Sequence, residues 1–267
     1  EGQGILSVAK HFPGHGDTAE DSHYTLPAVH HDRARLDSVE LLPFKRYIYD
    51  GYAGVMTGHL YVPALDKARN KPVSMSRAVV TDLLQKELGF RGLCFTDALA
   101  MKGATTRKSD NPSVMALLAG NDILLAPTAP INDFAAVKEA LEEGILDREE
   151  IEAKIIKILQ YKYIAGLNDY RPVETKGLSE RLNSPHAAWL AAKLNEEAIT
   201  LLKNEGDIIP LKQLDKKKIA ALSIGDGVGN EFQKMLGRYD SVACFSISRN
   251  ATAAQVQSVY KLSLIHI

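Results

Sequence analysis

The chain has 267 residues, of which 45% are hydrophobic and 24% are charged, and its formal net charge is -1. These values are ordinary for a globular protein, and so small a net charge gives no reason to expect a nucleic acid or an anionic membrane surface as a partner. The sequence shows no signal peptide and no long apolar span. Its two cysteines argue against a disulfide framework, because Cys94 lies in a predicted buried strand.

The first 167 residues alternate between strand and helix patterns. Short apolar runs predict four strands, at residues 6–9, 54–57, 92–96 and 122–125. Apolar residues at helical spacing predict five helices, at residues 37–49, 76–88, 112–119, 131–143 and 147–165. Ser76 is predicted to cap the second helix, and Asp147 with Glu150 to form a capping box at the last one. This alternation indicates an α/β fold, with a parallel sheet and helices packed outside it.

The pattern changes after residue 167. Residues 168–183 are polar and unpatterned and predict a linker, after which Ser184 and Pro185 start a helix that reaches about residue 202. The elements predicted next are a strand, a glycine-rich turn and a helix, at residues 218–224, 225–230 and 231–236. The turn differs by one residue from the dinucleotide fingerprint and lacks the acidic residue that this fingerprint requires, so we interpret it as a strand-to-helix turn.

Titratable side chains are concentrated in one glycine-rich segment, residues 10–23, which reads KHFPGHGDTAEDSH. Its proline and two glycines exclude a regular helix, and it directly follows the first predicted strand. The second and third strands end next to His59 and Asp97. Because ligands of parallel α/β folds bind at the carboxyl ends of the strands, these groups are predicted to face one site.

This segment resembles the signature of glycoside hydrolase family 3, in its β-N-acetylhexosaminidase branch. Residues 87–104, ELGFRGLCFTDALAMKGA, resemble the family's nucleophile segment, and residues 41–66 match a further segment more weakly. The three matches occur in the family's order. The resemblance covers residues 5–167 well and residues 187–222 more loosely.

The resemblance implies a partial TIM-like (β/α)₈ barrel followed by a truncated α/β sandwich domain. Since only four strands are predicted where a closed barrel has eight, we expect residues 1–167 to be the C-terminal half of the catalytic barrel. Residues 168–185 would then be a linker, and residues 186–267 the start of the sandwich. We also expect a piece of a longer protein with a non-native end at residues 262–267, and poor solubility and no activity for the piece alone, because its sheet edges would be open.

The resemblance also assigns roles to five residues. Asp97 is the nucleophile, His23 the acid/base and Asp21 its partner, while Lys10 and His11 bind sugar hydroxyls. From the surrounding residues alone, Asp97 is as readily a turn-capping aspartate, and each loop histidine is more readily structural. A histidine nevertheless suits proton transfer, because it titrates near neutral pH.

Other residues of the segment have weaker claims to a role. Asp17 and Glu20 compete with His23 for the acid/base role, and His15 is expected to organise the loop. His59 and Met101 could line the site, but the sequence does not decide this. The spacing of the histidines and acids matches no zinc motif, so no metal and no cofactor are expected.

The resemblance therefore implies a retaining exo-β-N-acetylglucosaminidase that removes terminal β-linked N-acetylhexosamine from cell-wall or chitin-type glycans through a covalent glycosyl-enzyme. Phosphorolysis stays open, because a neutral histidine base does not repel phosphate, and so does β-glucosidase activity. An inactive sugar-binding or structural fragment is the alternative of a different class. A carbohydrate is the expected partner, without nucleic acid or a membrane segment, while the compartment and the oligomeric state are not predicted.

Overall fold

The computed structural model describes residues 1–2, 4–104 and 110–266, with side chains up to residue 261. It divides into two compact units, Glu1–Val173 and Glu174–Ile267, and the division falls inside the predicted linker. The expectation of a non-native end falls on residues 262–267, whose side chains lie outside the described part of the chain. Among the described helices, none is both long and apolar enough to cross a membrane.

The first unit is built on a parallel sheet. Its strands are β1 (Val8–Phe12), β2 (Gly54–Thr57) and β3 (Leu93–Thr96), in the spatial order β1-β2-β3. The prediction of an α/β fold with parallel strands is therefore confirmed. Within the described residues the sheet has three strands in sequential order, and the closed barrel stays an expectation.

The first strand runs further along the chain than its apolar run predicted. It ends at Phe12, so Lys10 and His11 lie within the strand and not after it. The fully buried Phe12 ring packs in the core and draws the backbone into the sheet beyond the polar pair. Lys10 pairs with Met56 and Phe12 with Thr57, which leaves His11 as an extra residue in a β-bulge. Such a bulge redirects a side chain at the rim of a sheet.

The strand predicted at residues 122–125 is wrong. Only one isolated parallel bridge forms there, between Phe95 and Ile123. The ladder stops because the backbone N–H of Leu125 donates to the Thr96 hydroxyl at 2.9 Å instead of to a strand carbonyl. The next residue, Ala126, has a φ of 42° and turns the chain away from the sheet.

Helices pack beside the sheet and enclose its core. The α-helices of this unit are α1 (Arg33–Arg35), α2 (Leu42–Tyr49), α3 (Pro112–Ala119), α4 (Pro130–Glu142) and α5 (Arg148–Ile164). A π-helical turn, Leu36–Glu40, joins α1 to α2, and a π-helix spans Ala78–Glu87. Short 3-10 turns are Val73–Met75, Lys102–Ala104 and Leu167–Asp169. The main core contains Phe12, Leu41, Val55, Val79, Val80 and Leu84.

The two predicted caps differ in outcome. Asp147 does cap α5, since its side chain accepts from the Glu150 N–H at 2.9 Å, but among the described contacts the Glu150 side chain lies 3.5 Å from Arg77 and makes no return bond, so only half of the predicted capping box forms. Ser76 does not cap its helix by its side chain. Its hydroxyl donates to Asp66 at 2.5 Å, because that carboxylate lies within reach and is the stronger acceptor.

A buried carboxylate holds α5 to the sheet. The Asp122 side chain has no solvent exposure, accepts the Cys94 N–H at 2.8 Å and lies 3.0 Å from Lys157 Nζ. Lys154 Nζ lies 3.9 Å away on the same helix, and burial lowers the pKa of its amine. The two lysines therefore anchor α5 to β3 through the buried Asp122 carboxylate.

Asp122→Ala should lower the free energy of unfolding of this unit by about 3 kcal/mol, because it leaves a partly buried ammonium and a strand N–H without their acceptor. Urea denaturation followed by circular dichroism would measure the change. Tryptophan fluorescence would not report on this unit, because Trp189, the only tryptophan, lies in the other one. Asp82→Ala is the control. It removes an exposed pair with Lys86 and should cost less than about 1 kcal/mol. Equal losses would refute the anchoring role.

The second unit contains two parallel strands, β4 (Ile219–Ile224) and β5 (Val242–Ile247). Its helices are α6 (Leu178–Leu182), α7 (Pro185–Ala198), α8 (Glu231–Leu236) and α9 (Ala253–His266). Ser184 caps α7 as predicted, although this helix ends earlier than expected. The buried Gln233 amide donates to one carbonyl of each strand, on Ala221 and Phe245. Two 3-10 turns, Glu205–Asp207 and Leu214–Lys216, lie between α7 and β4.

The glycine-rich turn lies at the carboxyl ends of β4 and β5, beside a cavity of about 690 Å³. It connects a strand to a helix, as predicted. Asp226 is the one charged residue among the described residues that line this cavity. A carboxylate there disfavours a phosphate group, so the turn offers no support for a nucleotide site.

Candidate active site

Asp97 directly follows β3 and is held at the carboxyl edge of the sheet. Its N–H donates to the Thr57 carbonyl of β2 at 2.9 Å, and its Oδ1 accepts the Ala98 N–H at 2.8 Å. The side chain is 13% exposed. One carboxylate oxygen is therefore fixed by the backbone, while Oδ2 is left for other contacts.

His11 makes the contact with that second oxygen. Its Nε2 lies 3.5 Å from Asp97 Oδ2, which places the bulged residue of β1 across the edge from the residue that follows β3. Burial lowers the pKa of the His11 imidazole, and the Asp97 carboxylate opposes that shift. A neutral imidazole offers one donor and one acceptor, which suits a hydroxyl ligand.

The loop after β1 has its own internal order. His15 Nδ1 bonds the Thr18 hydroxyl at 2.7 Å, and His15 Nε2 bonds the Ser22 hydroxyl at 3.2 Å. Both ring nitrogens are used within the loop, which agrees with the prediction that His15 organises it. The His11 and His15 rings also meet edge to face, with centroids 6.0 Å apart.

Asp21 and His23 form a dyad at the exposed end of the loop. Asp21 Oδ1 accepts the His23 N–H at 2.9 Å and lies 2.7 Å from His23 Nδ1. The backbone N–H and then the imidazole of His23 lower the pKa of Asp21. Because the carboxylate can only accept, Nδ1 carries a proton, and Nε2 is the nitrogen left for exchange with a ligand. The His23 side chain is 69% exposed.

A glycine fastens this loop to the segment that follows Asp97. The Gly103 N–H donates to the Ser22 carbonyl at 3.2 Å, between the two members of the dyad. A Cβ on Gly103 would lie 2.9 Å from the carbonyl oxygens of Ser22 and Thr25 and 3.0 Å from Cβ of His59. Only a residue without a side chain permits this approach.

Gly103→Ala should therefore displace the dyad, and kcat of any reaction that depends on the dyad should fall by about 100-fold, as a displacement near 1 Å can cause. Steady-state kinetics on the full-length protein would measure the loss, with circular dichroism to verify folding. Gly227→Ala is the matched control, because no atom lies within 4 Å of the Cβ it would add. Unchanged kcat in a folded Gly103→Ala protein would contradict the close approach.

Lys10 lies on the same strand as His11 and is exposed. Its ammonium forms no hydrogen bond or ion pair with another described residue, which leaves it open to a ligand within the described part of the chain. Lys10 and His11 border a cavity of about 570 Å³, together with Gly14, Glu40 and Tyr47. Its volume is in the usual range for small-molecule sites. Asp97 and His23 do not line this cavity, so it represents only the side of the site that lies along β1.

The sequence interpretation missed a second polar cluster beneath the loop. Asp17, His31 and Glu40 bring ligand atoms within 4.8 Å of one another. His31 Nε2 lies 2.6 Å from Asp17 Oδ2, and Arg35 lies 3.2 Å from Glu40 and 3.7 Å from Asp17. The Arg35 guanidinium lies within ion-pair distance of both carboxylates, so the cluster is an ion-pair network that joins the loop to the helical segment after it. The three residues are 9 to 23 positions apart in the sequence, and nothing in their spacing indicated the cluster.

The sequence left open whether Met101 and His59 line the site, and the structure places them differently. Met101 is partly exposed near the edge. His59, which follows β2, is fully buried and bonded on both ring nitrogens, so it does not line the surface of the site.

Comparison with known proteins adds independent findings. Residues 1–161 match the model of the glycosyl hydrolase family 3 N terminal domain. A protein of Pseudoalteromonas piscicida named beta-hexosaminidase A is 34% identical over 249 residues, covering 85% of this chain and 40% of that protein.

Solved structures agree with this. A family 3 beta-N-acetylglucosaminidase from Paenibacillus sp. str. FPU-7 superposes with a TM-score of 0.82 at 31% identity, covering 97% of this chain and 51% of that one. A beta-glucoside phosphorylase reaches a TM-score of 0.81 at 22% identity over 93% and 48% of the two chains, which shows a shared fold alone. The chain thus spans about half the length, or less, of these relatives.

Proposed function

The chain belongs to glycosyl hydrolase family 3, and from this premise we propose that the full-length protein is a retaining exo-β-N-acetylglucosaminidase. The N-acetyl preference rests on the relatives named above, which are a beta-hexosaminidase and a beta-N-acetylglucosaminidase. The retaining mechanism rests on the kind and placement of the side chains at the edge of the sheet.

One observation carries this proposal. Asp97, after β3, lies 3.5 Å from His11 of β1, and the Gly103 N–H, in the segment after Asp97, donates to Ser22 in the loop after β1. A carboxylate and a histidine–carboxylate dyad are thereby assembled from separate parts of the chain. A retaining glycosidase needs this combination of a nucleophile and a proton donor.

In the proposed mechanism Asp97 Oδ2 attacks the anomeric carbon, and the bond from that carbon to the leaving oxygen breaks. His23, protonated on both nitrogens, gives the Nε2 proton to the departing oxygen, and the Asp21 carboxylate stabilises the imidazolium. Neutral His23 then takes a proton from water as the water attacks the glycosyl–Asp97 ester. Both the carboxylate and the imidazolium are restored at the end of the cycle.

Lys10 and His11 are proposed to hold the sugar. The exposed Lys10 ammonium supplies donors, and the neutral His11 imidazole supplies a donor and an acceptor, which together match a pair of hydroxyls. Since His11 also touches Asp97, a sugar bound to it would present its anomeric carbon near the nucleophile.

The test is to follow an aryl β-N-acetylglucosaminide with the full-length protein by NMR. The proposal predicts that β-N-acetylglucosamine forms first and then mutarotates, and that the corresponding β-glucoside reacts more slowly. An α-product formed first would refute retention. A faster reaction of the glucoside would replace the proposed substrate by the β-glucosidase alternative, and sugar binding without turnover would favour a non-catalytic role.

Phosphorolysis is the second candidate, and the identity of the base favours it. His23 is neutral when it acts as a base, and the exposed Lys10 ammonium adds a positive charge, so phosphate would meet less repulsion than beside a catalytic carboxylate. Adding inorganic phosphate to the same assay separates the reactions. Formation of N-acetylglucosamine 1-phosphate would identify a phosphorylase, and free sugar alone would identify a hydrolase.

A further inference from the structure

A chain of buried polar side chains lies directly under Asp97. Thr57, His59, Ser74 and Asn121 have no solvent exposure. Burying polar groups in a core costs free energy unless they are hydrogen-bonded, and apolar residues of similar size would pack without that cost. Four such residues in contact therefore call for an explanation other than packing.

His59 joins two segments through its ring. Nε2 lies 3.1 Å from the Ala98 carbonyl oxygen, and Nδ1 lies 2.8 Å from the Ser74 hydroxyl. A carbonyl can only accept, so Nε2 carries the proton and donates, while Nδ1 accepts from Ser74. This arrangement uses the neutral imidazole in a single tautomer, and burial lowers the pKa of His59 in the same sense.

The network continues to the other side of Asp97. The Asn121 side chain donates to the Ser74 carbonyl at 2.7 Å and accepts from the Thr57 hydroxyl at 2.9 Å. The Thr57 carbonyl accepts the Asp97 N–H at 2.9 Å. The backbone is thus held on both sides of Asp97. Thr57 accepts the Asp97 N–H, and His59 donates to the carbonyl of the next residue, Ala98.

We propose that His59 is a positioning residue for the nucleophile, which fixes the orientation of Asp97 by holding the Ala98 carbonyl from below. The inference deepens the proposed function and rests on it for its kinetic consequence. The positioning itself depends only on the hydrogen bonds. Without the His59 Nε2 donor, the peptide after Asp97 loses its anchor, and Asp97 Oδ2 samples orientations that do not face the anomeric carbon.

Two amide variants separate the two ring nitrogens. The side-chain nitrogen of glutamine can reach the place of Nε2 and donate to Ala98, whereas asparagine reaches only to the place of Nδ1. His59→Gln should therefore retain most of kcat, and His59→Asn should lose about 100-fold in kcat with little change in KM. Thr81→Val is the control, because it removes another buried hydrogen bond, to the Ala119 carbonyl, away from Asp97.

Hydrogen exchange gives a readout that does not depend on turnover. In the full-length protein, exchange of the peptide that spans residues 97–99 should be faster in His59→Asn than in wild type, His59→Gln or Thr81→Val. Ser74→Ala, a smaller change that removes the partner of Nδ1, should give an intermediate rate and serves if a His59 variant fails to fold.

The outcomes distinguish the two proposals. Faster exchange in His59→Asn together with its selective loss of kcat supports the positioning role. Faster exchange with an inactive wild-type protein supports the anchor and refutes the proposed function instead. Equal exchange in all variants, or equal kcat for the glutamine and asparagine variants at matched folded concentration, would overturn the inference.

Discussion

Asp97→Asn is expected to reduce turnover of an aryl β-N-acetylglucosaminide by roughly 10⁴- to 10⁶-fold, the range seen when a nucleophilic unit is disabled. The amide cannot attack the anomeric carbon, yet its oxygen can still accept the Ala98 N–H that now binds Oδ1 at 2.8 Å. The fold should therefore persist, and kcat at equal concentrations of folded protein measures the loss.

Asp66→Asn is the control for this experiment. Asp66 is also partly buried and hydrogen-bonded, but its partners are Ala68, Ser76 and Lys71. Its replacement should leave turnover near that of the wild type. A loss as large as that of Asp97→Asn would indicate that removal of a carboxylate disturbs the fold in general, and would remove the evidence for a nucleophile.

The dyad gives the second large effect, and it depends on the leaving group. His23→Ala should lower kcat/KM by about 10²- to 10⁴-fold for alkyl glycosides, which need protonation, and far less for activated aryl glycosides, which do not. A series of aryl substrates of graded leaving-group pKa measures this as a steeper dependence of rate on that pKa. Equal losses for both substrate classes would show that His23 binds or organises instead of donating a proton.

Asp21→Asn should reproduce this pattern more mildly. The amide still can accept from His23 Nδ1, but it no longer stabilises the imidazolium with a negative charge. His30→Ala provides the control, since His30 is an exposed histidine outside the dyad. A leaving-group dependence that changes in His30→Ala as well would contradict the assignment to His23.

Local patterns in the sequence were sufficient where one segment determines the outcome. The apolar run before Asp97 is a strand, and Asp147 and Ser184 cap the helices whose first turns they precede. The contact between Asp21 and His23 is also local, because they are two residues apart, but the expectation of this dyad came from the family resemblance and not from the pattern. Capping and turn contacts reach only a few residues along the chain, so the sequence pattern contains them.

Contacts between distant segments could not be predicted in this way. The end of β1 depends on Phe12 entering the core, and the missing strand at 122–125 depends on the Thr96 hydroxyl. The pairing of Asp17 with His31 joins positions that have no periodic relation. These outcomes follow from tertiary packing, which overrides local preference.

The buried network beneath Asp97 shows the same limit. Thr57, Ser74 and Asn121 are ordinary residues in the sequence, and 64 positions separate the first from the last. His59 drew notice only because it follows a strand. Its burial and both of its hydrogen-bond partners depend on the fold, which brings the segments between residues 57 and 121 together.

Trapping the covalent intermediate tests the role of Asp97 most directly. The full-length protein would be incubated with a fluorinated N-acetylglucosamine inactivator, whose electron-poor ring slows hydrolysis of the glycosyl-enzyme, and the labelled peptides would be mapped by mass spectrometry. One sugar attached to Asp97, and to no other residue, is the predicted result. A label on Asp21, Asp66 or His23, or continued turnover without any label, would contradict it.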